Sequence, residues 1–243
     1  NWKSIRIKNL NFSYHRKKEG ELHLNNINLE FKKNQKIALI GESGSGKTTF
    51  MKLIRGIHKP RDIELIIDGN PVKGGFEVLS DNITLLPQEP EIFATTIEHN
   101  ITMGIPYSEK HIRKFTDMAK YTKVFERFPK KLKSSVVEKG VNMSGGEKQR
   151  LALARGLLAG EDKQIILFDE PTSSVDTKTE LNIYKKIMKN YRNKTLIVSA
   201  HRLHLLGMFD QIYMFQKGKI IVRGNLKELL EKSPQFRRLW KKY

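Results

Sequence analysis

Lys36-Ile37-Ala38-Leu39-Ile40-Gly41-Glu42-Ser43-Gly44-Ser45-Gly46-Lys47-Thr48 decides how the rest of this chain is read. Its first five residues are apolar in pattern and run straight into glycine, as a buried parallel strand does. After it, Phe50, Leu53, Ile54 and Ile57 recur at helical spacing, which predicts a helix over 48–57. The residues between match G-x-x-x-x-G-K-[ST] in the strand–loop–helix context that this motif requires. Glycines let backbone N–H groups turn inward and approach phosphate oxygens with no Cβ in the way. The helix N-terminus adds partial positive charge. Lys47 supplies a point charge to β- and γ-phosphates, and the Thr48 hydroxyl is a candidate Mg²⁺ ligand. Gly41, Glu42, Ser43, Gly44, Ser45, Gly46, Lys47, Thr48 and Thr49 are therefore candidate ATP-binding residues.

Outward from this loop, strands are expected at 5–7, 10–14, 24–31, 65–67, 83–86, 165–168 and 195–199, with a hairpin of 212–215 and 219–222 around Gly218. A polar stretch at 16–21 reads as a turn. Helices are expected from Ser144 to about Leu158 and over 178–189. Residues 92–135 change to a Lys-rich helical pattern, with Ile112, Phe115, Met118 and Ala119 on one face. Strands alternating with helices argue for an α/β fold around a mainly parallel sheet.

Two further stretches carry chemistry. Ile165-Ile166-Leu167-Phe168-Asp169-Glu170 is an apolar strand that delivers two carboxylates at its C-terminal end, where open α/β sheets bind ligands. Asp169 suits a Mg²⁺ shell, and Glu170 suits a base polarising the attacking water. Alone, the pair is a common solvated strand end; the phosphate loop upstream changes its weight. Ser144-Gly145-Gly146-Glu147 is a capping box, Ser at the N-cap and Glu three residues on. Its adjacent glycines also expose N–H groups to an anion, a second such helix end in the chain.

Asn142-Met143-Ser144-Gly145-Gly146-Glu147-Lys148-Gln149-Arg150 closely resembles the signature motif of ABC ATPases, and with both Walker motifs the resemblance runs over nearly the whole chain. It implies a P-loop NTPase (RecA-like) core, an N-terminal antiparallel β subdomain and an inserted α-helical subdomain. The division expected is about 1–88 and 159–243 for the β subdomain and core, and about 89–158 for the helical subdomain. By the same resemblance, Tyr14 stacks on adenine and Gln88 senses Mg²⁺ and faces a membrane partner. Ser173-Ser174-Val175-Asp176 forms the D-loop, and His201 contacts the γ-phosphate. Met143 replaces the commoner Leu, and Glu147 the commoner Gln; neither touches the catalytic set of Lys47, Glu170 and His201. A lone Tyr14, Gln88 or His201 would carry no such meaning; their order around the Walker motifs does.

The resemblance also implies a head-to-tail dimer with a second ABC ATPase domain, a homodimer or a close homologue. Each ATP would lie on 41–48 of one subunit, capped by Ser144, Gly145 and Gly146 of the other. Residues 92–101 and the segment Val137-Glu138-Lys139-Gly140 are similar to exporter-type loops, which implies transmembrane domains on the same full-length chain and a place on the cytoplasmic face of the cell (inner) membrane. Starting at Asn1, nearly in a strand, the chain reads as cut from a longer polypeptide. No apolar run within it approaches the roughly 18 residues needed to cross a bilayer, and nothing at its start looks like a cleaved signal.

With no cysteine among 243 residues, disulfides and thiolate metal sites are excluded. Sequons such as Asn100-Ile101-Thr102 are expected by chance in an Asn- and Lys-rich chain. The formal charge of +19 admits a rival, a non-transport ABC ATPase acting on nucleic acid or ribosomes. But Lys is spread from Lys3 to Lys242 without an aromatic-interleaved motif, so nucleic acid is disfavoured. A second rival, a regulatory domain that binds ATP without hydrolysing it, is opposed by the presence of both Glu170 and His201.

Overall fold

The computed structural model describes residues 2–14, 22–136, 143–200 and 202–241. The segments 16–21 and 137–140, together with Asn142 and His201, lie outside the described residues. Two compact units emerge, one of Asn1–Leu85, Gln164–Asp169 and Asn193–Tyr243, the other of Leu86–Lys163 and Glu170–Arg192.

In the first unit a six-stranded sheet has the order β10-β9-β3-β8-β7-β6. Its members are β3 (Lys36–Ile40), β6 (Ile83–Leu86), β7 (Ile165–Asp169), β8 (Thr195–Ser199), β9 (Gln211–Gln216) and β10 (Lys219–Gly224). The strands β3, β7 and β8 are buried throughout, the cause of their unbroken apolar sequences. β3 lies between β9 and β8 and runs parallel to both, and β7 runs parallel to β8. Leu39 and Asp169 both sit level with Ser199, so the carboxyl ends of β3 and β7 share one sheet edge.

A second sheet is antiparallel, with order β2-β1-β4-β5: β1 (Ser4–Phe12), β2 (Leu24–Lys32), β4 (Asp62–Ile67) and β5 (Asn70–Val72). The two short strands expected at 5–7 and 10–14 are one strand. Asn9, at φ 52°, absorbs an extra residue, and the register shift keeps Ile7 and Leu10 both buried. Tyr14 falls beyond that strand. Helix α1 (Lys47–Ile54) buries Phe50, Leu53 and Ile54 in a core shared with Ile5, Ile7, Phe31, Ile37 and Leu39.

The expected helix end at Ile57 is corrected to Ile54. Gly56, at φ 81°, turns the chain left-handed, Gly56 N–H donates to Leu53 O at 2.9 Å and Ile57 N–H to Lys52 O at 2.9 Å. That double hydrogen bond closes a helix C-terminus and leaves Ile57 exposed.

The second unit holds α2 (Ile97–Thr102), α3 (Glu109–Met118), α4 (Thr122–Phe125), α5 (Gly145–Ala159) and α6 (Thr177–Asn190). Ile112, Phe115, Met118 and Ala119 are all buried, as their spacing predicts. Gly156 on α5 admits Leu86, whose Cγ lies 2.3 Å from where a Cβ would stand. Residues 170–192 belong to this helical unit, although the sequence reading grouped them with the strands. The reason is packing: Lys186 Nζ donates to Asp117 O at 2.8 Å, and the Tyr191 hydroxyl donates to Leu157 O. Among the described residues no helix is long and apolar enough to cross a membrane.

Candidate functional site

β3 ends at Ile40, and from Gly41 the chain turns through the glycine-rich loop into α1. Gly41 has φ 142°, and a Cβ there would lie 2.2 Å from Phe215 O. Gly46 has φ 110°, with Leu24 Cδ2 only 2.6 Å from the corresponding point. Neither position accepts a side chain, so the backbone stays bare at these two points, as a close phosphate approach demands. Lys47 is 4% exposed, and its Nζ donates to Gly41 O at 2.8 Å and Glu42 O at 3.1 Å. The ammonium is thus held against the loop by the loop's own carbonyls. Beside the loop, a cavity of about 130 Å³ is lined by residues 41–45, residues 214–217 and Leu239.

Thr48 Oγ1 donates to Asp169 Oδ1 at 3.1 Å, although the two are 121 residues apart. The shared sheet edge of β3 and β7 makes that meeting possible. A hydroxyl and a buried carboxylate side by side fit a small hard cation, which takes few protein ligands and completes its shell with water and phosphate. In the same unit Tyr14 is 43% exposed, and its hydroxyl lies 3.3 Å from Thr49 Oγ1. Phe12, His23 and His58 make T-shaped contacts with its ring at 4.8, 4.9 and 5.3 Å between centroids. The two imidazoles are supports that no local sequence pattern marks.

The helical unit carries the other candidates. Gln88 Nε2 donates to Glu170 Oε2 at 3.1 Å. Glu170 adopts φ 49°, a conformation that non-glycine residues adopt at a cost, and such outliers gather at functional sites. Ser144 is the N-cap of α5. Glu147 N–H donates to Ser144 Oγ at 3.3 Å, and Ser144 N–H to Glu147 Oε2 at 2.9 Å, completing the expected capping box. Burial alone would raise the Glu147 carboxyl; the Ser144 N–H and the Arg127 guanidinium outweigh it and hold the group below the usual carboxylate range.

Gly146 has no room for a side chain, because a Cβ would lie 2.8 Å from Ser174 O. Gly145 is looser, with Ser174 Cβ at 3.8 Å from the same point. Gln149, quoted within the signature but given no role from sequence, locks these pieces together. Its Nε2 donates to Ser173 Oγ at 2.7 Å, and its Oε1 accepts from Ser174 N–H at 2.8 Å. Asp176 caps α6 by accepting from Thr179 N–H at 2.9 Å, which holds its carboxyl below the usual range.

Arg155 was also missed, since nothing in its local sequence marks it. Its guanidinium donates to Asn100 O at 2.6 Å, Glu91 O at 2.8 Å and Asn100 Oδ1 at 2.9 Å, and it lies 4.9 Å from the Phe93 ring centroid. It fastens residues 91–100, the segment that resembles exporter loops. The first unit thus holds Tyr14, residues 41–49 and Asp169; the helical unit holds Gln88, Ser144, Gly145, Gly146, Glu170 and Asp176.

Comparison with known proteins identifies the family. The family model described as "ABC transporter" matches residues 24–173. ABC transporter B family member 21 of Arabidopsis thaliana is 36% identical over 229 residues, 93% of this chain and 17% of that protein. The multidrug resistance-like ATP-binding protein MdlB of Buchnera aphidicola is 35% identical over 240 residues, 98% of this chain and 40% of that protein. A solved bacterial Atm1-family ABC exporter with ATP bound superposes with a TM-score of 0.88 at 29% identity, covering all of this chain and 42% of the other. The chain therefore spans less than half the length of these relatives.

Proposed function

We propose, from the premise that this chain belongs to the ABC transporter family as one of its ATPase domains, that it hydrolyses ATP with Mg²⁺ within a dimer and so drives export across a membrane. The observation that carries the reading is the contact of Thr48 Oγ1 with Asp169 Oδ1 beside the loop 41–46, where Gly41 and Gly46 leave no room for a Cβ. Loop N–H groups and Lys47 hold the phosphates, and Tyr14 offers its face to the adenine. Mg²⁺, when bound, neutralises charge on the β- and γ-phosphates; Thr48, Asp169 and Gln88 are its assigned holders.

Glu170 takes the proton of the attacking water as the water oxygen bonds to the γ-phosphorus and the bond to the ADP oxygen breaks. Gln88 orients that carboxylate through its amide N–H. His201 is assigned to the γ-phosphate from its place in the sequence. The chemistry is chiefly positioning and charge stabilisation. Ser144, Gly145 and Gly146 cap the nucleotide of a second copy or close homologue, with Asp176 in the loop that α5 holds beside them.

Export, fused transmembrane domains and residence on the cytoplasmic face of the cell membrane follow from likeness to exporters, one of which is named as such. ATPase activity is expected to vanish in excess EDTA and to return with Mg²⁺; activity indifferent to both would remove the assigned roles of Thr48 and Asp169. The dimer is tested separately by Ser144→Arg. That change puts a cation at the positive end of α5 and removes its cap, worth about 1 kcal/mol of stability. Binding of ATP to the single subunit is expected to persist, while ATP-dependent dimers disappear from size exclusion. Unchanged dimerisation would refute the capping role.

A further inference from the structure

The helical unit carries a half-open cleft of about 330 Å³ lined by polar and charged residues, whose aliphatic stems supply more than half of its surface. Lys120, Lys123, Arg150, Lys178 and Lys186 line it, against one carboxylate, Asp117. These cations come from α4, α5, α6 and the α3–α4 link, so they converge from several elements rather than following one exposed helix face. Two of them are fixed in place. Arg150 donates from Nη1 to Lys120 O at 2.8 Å and from Nε to Gly146 O at 3.2 Å, and Lys186 Nζ donates to Asp117 O at 2.8 Å. The Asp117 carboxylate is itself engaged, accepting from Thr122 Oγ1 at 2.6 Å. Burial lowers the Arg150 guanidinium below its usual range, with Arg127 adding to that and Glu147 and Asp176 opposing it.

We propose that this cleft binds a compact soluble polyphosphate, a ligand carrying two or more phosphate groups and no nucleobase. The lining residues are polar or charged and their cations outnumber the single carboxylate, which selects an anionic ligand. No aromatic ring is among them to stack a base. The spread of cations over several walls favours several linked phosphates over one. Arg150 lies on α5 soon after Ser144, and Lys178 lies on α6 just after Asp176, so an occupant would touch the two helices that begin at the proposed dimer-facing residues.

The test is calorimetric titration of the protein with inorganic tripolyphosphate at low salt, with ADP saturating the phosphate loop. One additional stoichiometric site is expected, with orthophosphate binding far more weakly. Each charge-assisted contact is worth on the order of tenfold in affinity, so Lys123→Gln/Lys178→Gln is expected to weaken the site by at least about tenfold. The charge-matched pair Lys73→Gln/Lys227→Gln, on exposed positions of the other unit, is expected to leave it unchanged. Equal weakening by both pairs would reduce the effect to the +19 charge and overturn the proposal. So would the absence of a second site, or its loss in Lys47→Ala, which would place the binding in the phosphate loop.

Discussion

In Glu170→Gln, ATP binding persists while turnover falls by roughly 10²–10⁴-fold, the usual worth of a general base. The substitution keeps size and shape, and an amide oxygen can still accept from Gln88 Nε2, which stands 3.1 Å from the carboxylate. What it removes is the ability to take a proton from water. The left-handed backbone at this residue, φ 49°, is unchanged by the swap, so the fold is expected to remain intact. The loss therefore falls on kcat rather than on nucleotide affinity, and the ATP-bound dimer accumulates. Steady-state ATPase assays with nucleotide-binding titrations separate these quantities. Turnover near that of the unaltered protein would sink Glu170 as the base.

Gly41→Ala acts on the same reaction from the other side, through the backbone. Its methyl would have to occupy a point 2.2 Å from Phe215 O, a main-chain atom of β9 that cannot swing aside. At φ 142° the residue is also in a region that L side chains avoid. Together, steric intrusion and backbone strain cost roughly 2–5 kcal/mol, so the thermal midpoint falls as well. Because Gly41 O accepts from Lys47 Nζ, any relief by shifting the loop displaces the ammonium too. Nucleotide affinity is expected to fall steeply. Gly44→Ala is the comparison: nothing lies within 4 Å of its Cβ position, and only the φ of 76° opposes the change. Equal stability of Gly41→Ala and the unaltered chain in thermal unfolding would show that the β9 contact is not restrictive.

Much of the fold was legible because its signals are local. The apolar runs of β3, β7 and β8, the spacing of Ile112, Phe115, Met118 and Ala119, and the capping box at Ser144 each depend on residues a few positions apart. Where the reading failed, the deciding signal was weak or lay in backbone conformation. Asn9 joins two expected strands through one left-handed residue. The helices at Leu226–Lys232 and Pro234–Lys241 were not anticipated, although Asn225 and Glu228 form a capping box that sequence could have disclosed.

The site divides the same way. That a glycine-rich strand–helix loop, a strand-end carboxylate pair and a capped, glycine-flanked helix N-terminus exist was determined by sequence alone, since each is a contiguous motif with those residue types in that order. Which atoms meet was decided only by tertiary structure. Thr48 reaches Asp169 because β3 and β7 share a sheet edge across β8. Gln149 and Arg155 gained their roles because helix packing carried them to loops far along the chain. The loop 41–48 specifies its own shape through glycine and the strand–helix junction. The carboxylate of Asp169, proposed to hold the cation, arrives from 121 residues away, a placement that only strand pairing and burial can make.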